Sequence, residues 1–251
     1  FYDGDHIYGV APVRLALKAS RRNITELLIQ ESMDMNNKKD NKGVTEILEL
    51  AKKLSIPIRE FSKHDLNMIT DNKPHQGFVL RATPLLFQKI NAMPPSEKFK
   101  TVLALDEVWD PQNLGALLRT CHFLACDEVV VCAKNSAPLS PAVSKASAGA
   151  MELMQVSSTN NMMRFLDESR KNGWQVVGTA LDESAIGLND VPLTKPIIVV
   201  LGNEGHGMRT NVLRRCEVLV QITGQGDTSE VDSLNVSVTG GIILHHFLCK
   251  K

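Results

Sequence analysis

Leu105–Thr120 reads LDEVWDPQNLGALLRT. It passes from an apolar strand end through a turn into the start of a helix. Asp110-Pro111 initiates the turn. Asn113 offers an N-cap, and Leu114, Leu117, Leu118 and Cys121 then share one helical face. Arg119 lies less than two turns beyond Asn113. Open α/β sheets bind ligands beyond the carboxyl ends of their strands, where such a turn sits. Taken singly, each residue is explained equally well by a capped helix with a surface arginine. Taken together, Asn113, Gly115 and Arg119 ask for more, because packing alone does not require them at these offsets.

Downstream, strand-like runs alternate with helix-like segments. The strands are Thr101–Leu105, Val129–Cys132, Val176–Ala180, Ile197–Leu201 and Val218–Ile222. The helices are Leu114–Leu124, Met162–Lys171, Thr210–Arg215 and Leu234–Leu248. Alternation of this kind predicts an α/β domain with a parallel sheet, and strands apolar throughout predict helices on both faces. Upstream, residues 6–84 read as a smaller α/β unit. Val13–Ile29 has helical spacing, broken near Arg22, with a cationic flank of Arg14, Lys18, Arg21 and Arg22. Val44–Leu54 returns to helical spacing, and Ile56–Ile58 and Gly77–Ala82 read as strands. Leu85–Lys100, with Pro94-Pro95, reads as a linker. The expected division is residues 1–84, a linker at 85–100, and a main domain at 101–251.

Composition narrows the class. Hydrophobic residues make up 43% and charged residues 22% of the 251 residues, which excludes a disordered or fibrous chain. The 28 Lys+Arg balance 28 Asp+Glu, so overall charge does not announce a nucleic-acid binder. The 5 cysteines include no CxxC pair, which argues against a zinc site or a disulfide framework and for a reducing compartment. No apolar run reaches the roughly 20 residues that span a bilayer. The chain starts at Phe1 without Met and shows no presequence, so its start says nothing of localisation.

Three further segments carry chemistry. In VLGNEGHGM, Val200–Met208, a buried strand runs into three glycines flanking Asn203 and Glu204. Glycine permits positive φ and close approach of backbone to ligand, although a tight turn alone would also use it. The string is not GxGxxG, which disfavours a dinucleotide site. In SLNVSVTGGIILHHF, Ser233–Phe247, Ser233 can cap an unusually apolar helix, and Asn235 offers an amide at its mouth. Gly240 and Gly241 inside that helix point to close backbone packing, possible at a subunit contact. In SPAVSKASAGAMELM, Ser140–Met154, Lys145 can meet a phosphate, and a small-residue helix end is the plain alternative.

In this order the segments resemble the SpoU branch of the SPOUT methyltransferases. Asn113, Gly115 and Arg119 look like the family's first motif, Gly202–Asn203–Glu204–Gly205 like its second, and Ser233–Leu234–Asn235–Val236–Ser237 like its third. The likeness covers about 150 residues, from Thr101 onward. Ile7-Tyr8-Gly9 and His75-Gln76-Gly77 make the front part similar to the family's small substrate-binding domain, of L7Ae/L30e-like fold. Asn135–Met154 most resembles the family's animal mitochondrial large-subunit rRNA members.

The resemblance implies a C-terminal SPOUT domain with a deep trefoil knot, a rare exception to unknotted topology. It implies S-adenosyl-L-methionine bound at Thr179, Ala180, Gly202, Asn203, Gly205, Ile222 and Leu234. Arg119, Asn113, Glu204, Ser233 and Asn235 would form the catalytic set, with no metal. Arg14, Arg21, Arg22 and Lys145 would meet RNA. Arg119 would either accept the 2′-hydroxyl proton in a special environment or stabilise the forming alkoxide, since free arginine has a pKa above about 12. The partners implied are large-subunit rRNA and a second copy of the chain, paired through the knot helices. The expected reaction is 2′-O-ribose methylation of a guanosine in the peptidyl-transferase loop, in the mitochondrial matrix or a bacterial-type cytoplasm. A tRNA substrate shares all three motifs. A non-catalytic RNA-binding assembly factor would be expected to lose Asn113 or Arg119, and both are present.

Overall fold

The computed structural model describes residues 4–33, 41–203, 205–224 and 233–249. In chain order the elements begin β1 (Asp5–Tyr8), α1 (Val10–Ala19), β2 (Ile24–Gln30), α2 (Asn41–Lys53), β3 (Ile58–Phe61), α3 (Lys63–Ile69), β4 (Phe78–Ala82) and β5 (Gln88–Lys89). Then follow β6 (Thr101–Leu105), α4 (Pro111–Phe123), β7 (Glu128–Cys132), α5 (Pro141–Ala146), α6 (Ala150–Leu153), β8 (Ser157–Thr159) and α7 (Met162–Lys171). The chain closes with β9 (Gln175–Thr179), β10 (Ile197–Leu201), α8 (Thr210–Leu213), β11 (Val218–Val220) and α9 (Val236–Cys249). Two compact units result. One contains residues 1–86 and Pro138–Met154, the other 87–137 and 155–251.

The larger unit is a seven-stranded sheet in the order β11-β9-β10-β6-β7-β8-β5, parallel at every pairing. The central strands TVLAL and IIVVL are buried at every residue, as a sheet covered on both faces demands. Phe165, Leu166, Trp174 and Val212 pack with Val102, Val130, Val176 and Ile198 in its core. β6 and β10 are neighbours, yet β6 leads on to β7 on one side and β10 to β11 on the other. Their carboxyl ends therefore open a crevice where the winding reverses, the usual ligand position in such sheets.

The segment 85–100, read as a linker, is anchored in this unit. β5 adds the edge strand beside β8. Further on, Trp174 Nε1 donates to the Pro94 carbonyl at 2.8 Å and Asn172 Nδ2 to the Met93 carbonyl at 2.8 Å. Its prolines mark irregular backbone, and irregular backbone still needs hydrogen-bond partners.

The smaller unit has a four-stranded sheet, β1-β4-β2-β3, in which only β2 and β3 run parallel. The helical spacing expected over Val13–Ile29 holds only to Ala19, where Ser20 takes a left-handed conformation and ends α1. Ile24–Gln30 is instead a strand with four consecutive buried residues, Leu27 among them. A continuous apolar run between turn signals reads either way by spacing alone, and pairing on both sides decides for strand. α5 and α6 also belong to this unit, packing against β1 and α1.

Candidate active site

The loops leaving β6 and β10 are tied together by a pair of acids. Asp106, fully buried, accepts the Arg209 backbone N–H at 3.1 Å and its side chain at Nε (3.0 Å) and Nη2 (2.6 Å). This two-pronged, charge-assisted contact is the strong form of an Arg–carboxylate bond. It raises the Arg209 pKa further above its ordinary value, the Asp106 hydrogen bond being the chief cause. Glu107 follows with φ 66°, left-handed for a non-glycine residue. Its carbonyl accepts Asn203 Nδ2 at 3.0 Å and its carboxylate accepts Asn135 Nδ2 at 2.7 Å.

The glycine loop then folds on itself. Asn203 and Gly207 exchange both backbone hydrogen bonds at 2.9 Å, and Asn203 Oδ1 accepts the Gly205 N–H at 2.8 Å. A Cβ at Gly202 would fall 2.2 Å from Met208 N and 2.3 Å from Gly207 C, backbone atoms that cannot step aside. At Gly207, φ 69°, a Cβ would meet nothing within 4 Å, so main chain there faces open space.

That space is a cavity of about 710 Å³ beyond the ends of β9, β10 and β11. Its lining includes Thr179, Ala180, Gly202, Asn203, Gly205, Ile222 and Leu234, the seven positions expected to meet a cofactor. Ser233 lines it too, from the expected catalytic set. Apolar walls come from Leu201, Val220 and Ile243. His206 and Met208 also contribute, and sequence reasoning had not singled them out.

Asn113 and Asn235 meet beside this cavity. Asp110, not Asn113, caps α4, its Oδ1 accepting the Gln112 N–H at 2.9 Å with Pro111 in the first turn. The Asp-Pro pair that signalled a turn is thus also the helix start, which places Asn113 inside the helix. Asn113 Nδ2 donates to Asp110 Oδ2 at 3.2 Å, while its Oδ1 accepts Asn235 Nδ2 at 3.1 Å. Asn235 Oδ1 in turn accepts the Ser237 N–H at 2.9 Å and its hydroxyl at 2.6 Å. Asn235 rather than Ser233 therefore performs the capping expected at the mouth of α9. The two asparagines, 122 residues apart, form one directed chain of donors ending on Asp110.

Arg119 is exposed on α4 and makes no hydrogen bond or ion pair with another described residue. α4 packs on α9, where a Cβ at Gly240 would approach Leu117 Cδ2 to 2.5 Å. Gly240 thus explains its presence by close packing, whereas a Cβ at Gly241 would meet nothing within 4 Å. Glu204 lies outside the described residues.

The cationic positions of the smaller unit fare differently. The Arg22 side chain has no exposed surface. It grips Glu152 with Nε (2.7 Å) and Nη2 (2.9 Å) and gives Nη1 to Asp5 and the Thr83 carbonyl, both at 2.8 Å. Arg21 donates to the carbonyls of Met151, Glu152 and Met154 at the end of α6. Arg22 is thereby held inside the unit, not on the RNA-facing flank where a helical pattern through residue 22 would have kept it, while Arg21 is part-exposed. Arg14 pairs with Glu46 at 2.9 Å and is part-exposed. Lys145 Nζ donates to Gln76 Oε1 at 2.8 Å and makes no ion pair with a described carboxylate, and burial lowers its pKa.

Among the described residues no group of three His, Cys, Asp or Glu could hold a metal, and no helix is long and apolar enough to cross a membrane. Comparison with known proteins adds the following. The SpoU rRNA methylase family matches residues 100–245, and the RNA 2′-O ribose methyltransferase substrate-binding family matches residues 6–88. The protein called "rRNA methyltransferase 1, mitochondrial" in Dictyostelium discoideum is 37% identical over 85% of this chain, which spans only 46% of that relative. The "23S rRNA (guanosine-2′-O-)-methyltransferase RlmB" of Coxiella burnetii is 33% identical over 95% of this chain and 93% of its own length. Among solved structures, an rRNA methyltransferase from Sinorhizobium meliloti described as AdoMet-bound has the same fold. Its TM-score is 0.77 at 23% identity, covering 97% of this chain and 86% of that one.

Proposed function

The chain belongs to the SpoU rRNA methylase family, and from that premise we propose that it transfers the methyl group of S-adenosylmethionine to a ribose 2′-hydroxyl of RNA. One observation carries the reading. The Asn113–Asn235 hydrogen bond joins the helix that bears Arg119 to a segment whose neighbours Ser233 and Leu234 line the cavity.

The residues present fit the cofactor. A cavity of about 710 Å³ lies within the roughly 300–1,000 Å³ of small-molecule sites. It offers apolar walls at one side and the bare main chain of the glycine loop at the other. When bound, S-adenosylmethionine supplies an electrophilic sulfonium methyl. The chain supplies position and charge. Asn113 and Asn235 hold the mouth of α4 and α9 in one geometry. Arg119 orients the ribose and stabilises the oxyanion as the O–C bond forms and the S–C bond breaks, while a phosphate oxygen or water takes the hydroxyl proton. A guanidinium carries only N–H donors and no acceptor, which suits that role better than the role of base.

The finer reading is a guanosine in the peptidyl-transferase loop of large-subunit rRNA, modified in the mitochondrial matrix. The name of the Dictyostelium relative supports rRNA and the mitochondrion, and that of the Coxiella relative supports a guanosine of 23S rRNA. Residues 1–84 would bind the RNA together with Lys145 and Arg14. Two copies would pair through α4 and α9 around a knotted C-terminal domain. The exposed Phe123, Val238 and Ile242 on those helices favour this.

The test is ribose-methylation mapping of large-subunit rRNA incubated with the protein and S-adenosylmethionine, beside Arg119→Ala. The variant should lose at least about 100-fold in rate, the scale of a lost oxyanion donor, and keep cofactor affinity. Methylation at the wild-type rate would remove Arg119 from the mechanism. Labelling of tRNA instead would move the substrate. RNA binding without any methyl transfer would favour an assembly factor.

A further inference from the structure

We propose that Glu107 is a positioning residue for the cavity, fixing the shape of the glycine loop and so setting the affinity for S-adenosylmethionine. The inference rests on the cofactor reading above. Glu107 does not line the cavity, so it acts through the residues that do.

Three observations lead there. Its backbone is left-handed at φ 66°, a conformation that strains an ordinary side chain and costs glycine almost nothing. A strained residue at a ligand site persists only when its surroundings over-determine it. Here they do. The backbone twist turns the Glu107 carbonyl toward Asn203 Nδ2, at 3.0 Å, on the limb of the loop that leaves β10. The carboxylate, with only 16% of the side chain exposed, meets other residues. Its Oε1 accepts Asn135 Nδ2 at 2.7 Å and lies 3.7 Å from Arg209 Nε, on the limb that enters α8. Its Oε2 lies 3.5 Å from His206 Nε2, at the tip of the loop.

One residue therefore touches both limbs and the tip of a loop whose Asn203, Gly205, His206 and Gly207 face the cavity. The Asp106 carboxylate, by contrast, accepts only from Arg209 among the described residues. A loop that binds mainly through main-chain groups gains affinity from being held in place before the ligand arrives. Such a contribution is equal in the ground and transition states. Its loss raises KM for the cofactor and leaves kcat unchanged.

Two variants of the full chain separate this role from a merely structural one. Glu107→Gly deletes the carboxylate and relieves the backbone, so its thermal midpoint should equal or exceed that of the wild type. Its S-adenosylmethionine Kd by calorimetry, and its cofactor KM, should rise about tenfold, with kcat and the RNA KM within about twofold of wild type. Glu107→Gln keeps an acceptor for Asn135 and should recover part of that affinity. Wild-type affinity in Glu107→Gly, or a fall in kcat at unchanged Kd, would overturn the assignment. If the wild type itself showed no heat with S-adenosylmethionine, the cofactor reading of the cavity would fall, and this inference with it.

Discussion

At the scale of single residues, the loop after β10 depends on one missing side chain. A Cβ at Gly202 would overlap the backbone of Gly207 and Met208, and nothing there can rotate away. Gly202→Ala should cost about 1–3 kcal/mol by overpacking and abolish calorimetric binding of S-adenosylmethionine, whereas at Gly207 the Cβ direction is open and only the left-handed φ of 69° strains a side chain. A second residue makes the smaller unit sensitive to acid. Arg81 Nε donates to His6 Nε2 at 3.1 Å, which requires an unprotonated nitrogen there. Burial first, and Arg81 second, lower the His6 pKa, against a smaller upward pull from Asp5 and Glu26. The folded state thus binds fewer protons than the unfolded one near pH 6. The stabilisation is complete above the ordinary value of about 6.5 and is lost as pH falls through the depressed folded value. Chemical denaturation at a series of pH values between about 7 and 5 should show a steeper loss for wild type than for His6→Gln, and equal slopes would remove His6 as the cause.

At the scale of elements, α4 and α9 show what the sequence could reveal. Both helices and the strands β6 and β10 were legible because apolar period is a local signal, whereas the seven cavity positions came only from the resemblance to the SpoU motifs. The capping residues were not. Asp110 and Asn235 do the work expected of Asn113 and Ser233, because spacing shows that a polar residue stands near a helix start but not which way its amide turns. The Asp106–Arg209 and Glu107–Asn203 contacts were invisible for a similar reason, joining residues 103 and 96 positions apart. In β2, pairing with two neighbours overrode a helical reading. The asparagine pair itself is testable. Asn113→Ala and Asn235→Ala should couple, the double variant losing less methylation free energy than the two singles summed by about 0.5–3 kcal/mol. Strict additivity in steady-state rates would show that the amides act separately.

At the scale of the molecule, the smaller unit is not a simple N-terminal module. Residues Pro138–Met154 complete it, and the seal is a buried cluster in which Glu152 accepts both Arg22 and the Ser144 hydroxyl, at 2.7 Å. Removing one partner strands a buried charge. Glu152→Ala should therefore lower stability by about 3–5 kcal/mol in urea titration, and a change below about 1 kcal/mol would mean that water reaches Arg22. The larger unit raises the opposite problem, apolar surface left in water. On α4 Phe123 is 86% exposed, and on the adjoining α9 Val238 and Ile242 are 48% and 40% exposed. Val238 and Ile242 are one helical turn apart on one face of α9, so they present a stripe, not scattered side chains. Burying such a stripe against its own copy satisfies both chains at once by two-fold symmetry. Phe123→Glu combined with Ile242→Glu puts charge into that apolar surface, and like charges brought together in a desolvated interface cost several kcal/mol. Sedimentation should then show wild type as a dimer and the double variant as a folded monomer. A wild type that sediments as a monomer, or a variant that still dimerises, would place the contact elsewhere.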